Sequence, residues 1–378
     1  MIIMNKNIKI IAAIVILMIV ALIISTQMTA KQDSVGSSSK PTIKIGVTLP
    51  LTGDVAMLGQ SSKKALDLAH AKLSERKDLK YNYELVYEDD QFKPTVGVTT
   101  ATKLTNIDKV SVLMSFGSPV GNVVSAFAEK AKVPHMNFFA SDSHVADGAY
   151  NFLHYTPAYE DSRVALEEMK KRGIKSIVFF GQYDNPGVAA IINAFEKDVK
   201  STDIKVLSTQ KFTTGTRDFR THISNVKNLN PDIYVLEASS PEIEVVTKQL
   251  REAGIKAPVT SIEAIEFSDQ LSLFEGAWYV NAADPEKWFI DSFTAKYGEI
   301  PKFGAANGYD SLNIIVQAVE AIGDGKSVPS RDEIREGLAQ IKTFDGALGK
   351  GLSVDANGQV ISKAVIRMIK DGKPMTVK

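Results

Sequence analysis

The feature of this chain that most limits its possible folds is a regular alternation of short apolar runs with amphipathic helical segments, which begins at Thr42. Several runs are continuously apolar, as expected for strands that helices cover on both faces of a sheet. Repeated strand–helix units of this kind predict an α/β fold with doubly wound parallel sheets. The strands are predicted at Ile43–Leu49, Tyr83–Tyr87, Val110–Phe116, His135–Phe139, Ser176–Phe180, Lys205–Leu207, Asp232–Glu237 and Val259–Ser261.

The strand–helix units fall into two sets, one before and one after about residue 157. Each set is long enough to build a hydrophobic core of its own. We therefore predict two α/β lobes of similar size. The alternation alone leaves open whether the chain crosses between the lobes once or several times.

The N-terminal segment is typical of a targeting sequence followed by a linker. Lys6 and Lys9 precede the uncharged apolar run Ile10–Ile24, an arrangement that favours an N-terminus on the cytoplasmic side and an exported remainder. The run is short for a spanning helix and long for a signal core, so residues 1–30 are either a signal peptide or a membrane anchor. The Ser-rich residues 31–41 are predicted to form a flexible linker. The protein is therefore expected outside the cytoplasm, at the cell surface or in the periplasm.

Composition and motif content argue against several functional classes. Lys+Arg and Asp+Glu both number 44 and no basic block is present, which argues against a nucleic-acid partner. The chain has no Cys, which removes disulfides, thiolate catalysis and thiolate metal sites. The five His residues lack metal-ligand spacing, and the chain has no Walker A loop, no G-x-S-x-G motif and no G-x-G-x-x-G after the first strand. We predict a protein that is not an enzyme and that uses neither metal nor cofactor.

Gly117-Ser118-Pro119 is the first candidate binding turn, because it follows the predicted strand ending at Phe116 and precedes the helical stretch Val120–Ala131. Ser is favoured at a helix N-cap and Pro at the first helical position. Helix N-termini at the carboxyl edge of a parallel sheet bind anions. Ser118 is therefore a candidate to hold a ligand carboxylate, and the alternative is that it only caps its own helix.

Two further strand ends carry polar groups. Phe139-Ala140-Ser141 follows the next predicted strand, where carbonyl and hydroxyl groups can clamp an ammonium or a carboxylate; the alternative is an ordinary turn. Glu263 lies just past Val259–Ser261 between apolar neighbours, which makes it a candidate partner for a ligand cation. The alternative for Glu263 is a solvated loop position.

Taken in order, these segments resemble the type I periplasmic-binding-protein superfamily, specifically the leucine/isoleucine/valine-binding branch that feeds ABC importers. The resemblance extends from Ile43 to about Ile369. It rests on the opening strand and turn, an acidic pair followed by Pro, the two Ser-bearing turns and a C-terminal signature. These are Ile43–Gly59, Tyr87-Glu88-Asp89-Asp90 with Pro94, Phe116-Gly117-Ser118, Phe139-Ala140-Ser141, Phe344-Asp345-Gly346 and Val354-Asp355-Ala356-Asn357-Gly358.

The resemblance implies two lobes that close on a ligand about a hinge with three crossovers. It implies that residues 42–157 plus 283–350 form ligand-binding lobe I and residues 158–282 plus 351–378 form lobe II. It also implies the positions that would contact the ligand. Ser118 and Ser141 would hold a carboxylate, the Phe139 carbonyl beside Ala140 and the Glu263 carboxylate would hold an ammonium, and Leu58 would touch the ligand side chain.

Two positions depart from the family pattern. Pro186 and Ser239 stand where amino-acid binders carry aromatic residues, which implies a larger or more polar pocket. Tyr183 is expected to compensate by filling the space from a nearby position. The presence of Glu263 favours a ligand with an amine, while amides, urea and aromatic acids remain open.

The resemblance predicts a solute-binding protein that hands an amino acid or related small metabolite to an ABC permease and ATPase complex. The alternative is a ligand-sensing receptor domain of the same fold that acts through a separate membrane signalling partner.

Overall fold

The computed structural model of the protein describes residues 40–377. The segment predicted to be a signal peptide or membrane anchor lies outside the described residues, as does most of the predicted linker. The chain from Pro41 onward forms one compact unit. Within the described part of the chain, no helix combines the length and apolarity that a membrane crossing requires.

A six-stranded, fully parallel sheet forms the centre of the first lobe, in the order β13-β5-β4-β3-β1-β2. Helices pack against this sheet, and its central strands are buried, as their continuous apolar sequence predicts. The strands are β1 (Thr42–Leu49), β2 (Asn82–Asp89), β3 (Val112–Phe116), β4 (His135–Phe138), β5 (Asn151–Tyr155) and β13 (Gln359–Ile361). The helices of this part of the chain are α1 (Ala56–Ser74), α2 (Pro94–Asn106), α3 (Ser118–Ala131), α8 (Lys287–Tyr297), α9 (Ala305–Ile322) and α10 (Arg331–Gln340).

The second lobe is built on a four-stranded parallel sheet in the order β7-β6-β8-β9 and an antiparallel sheet in the order β10-β14-β15. A bridge between Ile262 and Val280 links the end of β9 to β10. The parallel strands are β6 (Ser176–Gln182), β7 (Lys205–Phe212), β8 (Ile233–Glu237) and β9 (Val259–Thr260). The antiparallel strands are β10 (Trp278–Ala282), β14 (Ala364–Lys370) and β15 (Lys373–Thr376). The helices are α4 (Ala158–Lys171), α5 (Pro186–Asp198), α6 (Arg220–Val226) and α7 (Glu242–Glu252), and a separate hairpin pairs β11 (Thr343–Gly346) with β12 (Gly349–Ser353).

The predicted fold class is confirmed, because parallel sheets with helical crossovers form both lobes. The described chain passes between the two lobes three times: from β5 to α4, from β10 to α8, and from β13 to β14. These three connections form the hinge.

The predicted boundary at residue 351 is wrong for part of the C-terminal segment. Gln359–Ile361 pairs in parallel with β5 at the edge of the first sheet. Val360 is buried in the core of the first lobe together with Leu352. Their apolar side chains are stabilised there because packing removes them from water. The second lobe receives only the chain from β14 onward, which pairs with β10.

Candidate functional site

Ser118 lies where β3 turns into α3. The backbone of Gly117 adopts a φ of 72°, and Gly117 rather than Ser118 occupies the N-cap position of the helix. The Ser118 hydroxyl instead accepts a hydrogen bond from the backbone N–H of Asp142, at 3.2 Å. The predicted N-cap role of Ser118 is therefore wrong, because the helix begins one residue earlier than expected. The hydroxyl links the two Ser-bearing turns of the first lobe.

The second turn is shaped by Phe139, which has a φ of 79° in the left-handed region. Its ring stacks on Phe116, with ring centroids 4.5 Å apart, and packs edge-on against Phe303 at 4.7 Å. Such aromatic packing holds a backbone conformation that a non-glycine residue rarely adopts. The next residues, Ala140 and Ser141, are buried. The turn is therefore buried and packed against aromatic side chains of the first lobe.

Glu263 belongs to the second lobe and faces this turn. Its backbone N–H donates to the Val280 carbonyl, at 2.8 Å, and its side chain is 1% exposed. The Ser141 hydroxyl donates a hydrogen bond to Glu263 Oε2 across the lobes, at 2.9 Å. The alternative of a solvated loop glutamate is therefore wrong.

Burial raises the pKa of Glu263 to about 7, since removing a carboxylate from water outweighs the hydrogen bond that it accepts from Ser141. The negative charge of Glu266 raises this pKa further. Glu263 Oε1 lacks a hydrogen-bond partner within the described residues. A buried carboxylate with one oxygen unpartnered is poised to accept a cationic donor.

The first turn of α5 closes over Ser118 from the second lobe. A methyl group added at Gly187 would lie 2.8 Å from Ser118 Oγ, so the two lobes are in close contact here. Asn185 caps this helix by accepting from the Gly187 N–H, at 3.1 Å, and its amide donates to Ser239 Oγ, also at 3.1 Å. Pro186 is the first residue of the helix. Pro186 and Ser239 thus belong to one cluster at the lobe interface, and the N-termini of α3 and α5 face each other.

Tyr183 does not occupy the position expected of it. Its hydroxyl donates to Glu196 on α5, at 2.6 Å, and the Lys211 ammonium lies over its ring, 4.2 Å from the centroid. Both partners belong to the second lobe, so the ring folds back on its own lobe. The placement argues against Tyr183 filling the space left by the missing aromatic residues.

Leu58 lines a cavity of about 670 Å³ between the lobes. Phe303 contributes to its wall from the first lobe, while Glu266 and Arg367 contribute from the second. Arg367 is paired with Glu266, with an N–O distance of 3.2 Å. Because Phe303 also contacts the Phe139 ring, the cavity adjoins the second turn.

Sequence reasoning missed three residues near Glu263. Tyr155, Asp161 and Glu237 are all buried, and this burial, followed by the charge of Glu263, raises the pKa of each of them. Glu237 is the last residue of the apolar strand β8, a position similar to the one that singled out Glu263. Asp161 gives no such signal, because it lies in a polar stretch that reads as the exposed start of α4.

Comparisons with known proteins agree with the observed fold. A family model described as "Periplasmic binding protein" matches residues 42–374. A protein of Brucella abortus named Leu/Ile/Val-binding protein homolog 7 is 20% identical over 364 residues, covering 89% of this chain and 91% of that protein. A leucine-binding protein from Thermotoga maritima superposes with a TM-score of 0.78 at 23% identity, covering 89% of this chain and 98% of that one. An ABC transporter solute-binding protein from Rhodopseudomonas palustris, in complex with benzoate, gives a TM-score of 0.77 at 20% identity over 89% and 95% of the two chains.

Proposed function

Because the chain belongs to the periplasmic binding protein family, we propose that it is an extracytoplasmic solute-binding protein that delivers an amino acid or related small metabolite to an ABC importer. The observation that carries the proposal is the meeting of Ser118, Ser141 and Glu263 at the lobe interface. These residues offer hydroxyls and a carboxylate to a ligand held between the lobes.

In this proposal the carboxylate of the ligand binds between the two Ser-bearing turns. Ser118 and Ser141 donate hydroxyl hydrogen bonds to it, and the facing N-termini of α3 and α5 add partial positive charge. Leucine and benzoate, which relatives of similar fold bind, both carry a carboxylate. A carboxylate site between the two Ser-bearing turns is consistent with ligands as different in shape as leucine and benzoate.

The ammonium of the ligand binds on the opposite side, between the Glu263 carboxylate and the Phe139 carbonyl. Ligand binding replaces the Ser141–Glu263 hydrogen bond and frees the Ser141 hydroxyl for the carboxylate. The ammonium stabilises the ionised form of Glu263, which burial alone disfavours. The ligand thus supplies a donor to Glu263 Oε1, which has no partner within the described residues.

Closure of the hinge couples this chemistry to transport. Ser118 and Ser141 belong to the first lobe, whereas Glu263 and Gly187 belong to the second, so all of them engage one ligand only when the lobes meet. A ligand shifts the open–closed equilibrium by no more than its difference in affinity for the two forms. The closed form is the one that we propose the permease and ATPase complex receives.

The assignment of segments to lobes is part of the same proposal. We assign residues 42–157, 283–350 and the strand β13 to lobe I, and residues 158–282 with the chain from β14 onward to lobe II. Residues 1–30 are proposed to direct the protein across the membrane or to anchor it there. Leu58 is proposed to contact the ligand side chain from the cavity that it lines.

A thermal-shift measurement tests the proposed function directly. The melting temperature of the purified protein is recorded against a panel of amino acids, amides, urea, polyamines and aromatic acids. A ligand that binds only the folded state stabilises it by about 2.7 kcal/mol at a hundredfold excess over Kd. We expect a clear rise with amino acids, and a flat response across the panel would overturn the proposal.

A further inference from the structure

Three carboxyl side chains are buried together beside the proposed ammonium site. Asp161 is 0% exposed, and Glu237 and Glu263 are each 1% exposed. They come from different elements: the first turn of α4, the end of β8, and the turn after β9. An amino acid with a single ammonium needs only one carboxylate, which Glu263 supplies.

The packing explains how the three come together. Ala165, one helical turn after Asp161, is buried in the same cluster as Ile262 and Val280. Since residues four apart lie on one face of a helix, Asp161 points toward the strands that flank Glu263. The Ile262 N–H donates to Glu237 Oε2, at 2.7 Å, which places Glu237 next to the residue before Glu263.

Asp161 is the least satisfied of the three. Neither of its carboxyl oxygens has a hydrogen-bond partner within residues 40–377. Burial raises the pKa of Asp161 well above its ordinary value, and the nearby Glu263, Glu237 and Glu160 add to the effect. A buried carboxyl without donors is costly unless a proton or a cation completes it.

The described residues supply no cation to Asp161, and they do not form a set of ligands that suits a metal ion. Burial and neighbouring carboxyls account for the raised pKa of Asp161, with no Lys, Arg or His of the described residues opposing them. The described chain also offers no set of three acidic or His side chains arranged to hold a metal ion. Protons or an extended organic cation remain as the groups that can neutralise Asp161 and Glu237.

We propose that the ligand carries a second protonated nitrogen, which Asp161 and Glu237 bind while Glu263 holds the first. This inference rests on the proposed function and narrows its ligand to a diamino acid. The second nitrogen lies on the second-lobe side of the site, away from the hydroxyls that hold the carboxylate. Closure of the hinge then seals both nitrogens among carboxyls.

Isosteric ligand pairs test the inference. Each pair exchanges a terminal methyl for an ammonium at constant chain length: 2-aminobutyrate with 2,3-diaminopropionate, norvaline with 2,4-diaminobutyrate, and norleucine with ornithine. Calorimetric titration of the wild-type protein gives the ratio of Kd values in each pair. We expect the diamino member of at least one pair to bind tenfold tighter or more.

Asp161→Asn identifies the residue responsible. The substitution keeps the shape and removes the charge, so the preference for the diamino member should fall to less than threefold. Glu167→Gln is the matched control, because Glu167 lies on the same helix with an exposed side chain paired to Arg163. A preference that survives Asp161→Asn would overturn the assignment.

Proton release supplies a measurement that does not depend on the variant. Titrations near pH 7 in buffers of different ionisation enthalpy count the protons released on binding. A diamino acid should release more protons than its apolar partner, because its second ammonium favours the ionised form of carboxyls whose pKa burial raises. Equal release and equal affinity within every pair would overturn the inference alone. Failure of every amino acid to bind would overturn the proposed function with it.

Discussion

The two lobes present opposite kinds of chemistry at the interface between them. The first lobe contributes neutral groups, and the Ser118 and Ser141 hydroxyls are both hydrogen-bonded without a ligand. The second lobe contributes carboxyls, and oxygens of Glu263 and Asp161 lack partners within the described residues. Ser118 is thus satisfied within the first lobe and Ser141 by its bond to Glu263, whereas carboxyl oxygens of the second lobe lack a donor that a cation would supply. The difference indicates that the positive end of the ligand provides most of the selectivity of the site.

Glu263→Ala is the strongest test of the difference between the two lobes. Removing the charged partner should weaken the binding of amine-bearing ligands by more than about 2 kcal/mol, since the pair is desolvated. Titration calorimetry measures the loss, and Glu252→Ala, an exposed change on α7, serves as the control. Unchanged affinity would remove Glu263 from the site and with it the contrast between the lobes.

Gly187→Ala tests whether ligand binding requires Gly187 of the second lobe to contact Ser118 of the first lobe. The added methyl would crowd Ser118 Oγ, and we expect affinity to fall by roughly 1–3 kcal/mol, as for other overpacked contacts. The clash belongs to the arrangement in which Gly187 contacts Ser118, so the substitution should disfavour the closed form of the two lobes. In a Ser118→Ala background the same substitution should cost less, since the crowded oxygen is gone. Equal losses in the two backgrounds would show that the lobes do not close at this point.

Ser118→Ala tests the neutral hydroxyl groups of the first lobe and should have the smallest effect on affinity. Loss of one hydroxyl donor should weaken binding of a ligand carboxylate by about 1–2 kcal/mol. The corresponding amino-acid amide should lose less, because its neutral oxygen is a weaker acceptor. If the acid and the amide lose the same binding free energy, Ser118 does not bind the carboxylate.

Sequence reasoning succeeded where a single local signal carried the answer. Continuous apolar runs identified most strands of the parallel sheets, and β3 and β8 lie within the ranges predicted for them. β5 was missed because polar Asn151 and His154 interrupt its apolar pattern, although both are buried. β13 was missed because three residues are too few to show any period.

The candidate site was predictable only in part, for a related reason. Glu263 stood out because a carboxylate at the end of an apolar strand needs an explanation. Asp161 did not, since a polar residue in the first turn of a helix is ordinary and only tertiary packing buries it. Tyr183 was misplaced because its partners Glu196 and Lys211 are distant in sequence.

The three connections of the hinge have a consequence for how the chain is made. The edge strand of the first sheet, β13, follows almost the whole second lobe in sequence, so neither lobe is complete until residues 359–376 are available to pair. Pairings between distant segments form slowly, because the intervening chain must be ordered first. The long sequence separation between β5 and β13 therefore predicts that the edge of the first sheet is among the last parts of the fold to form.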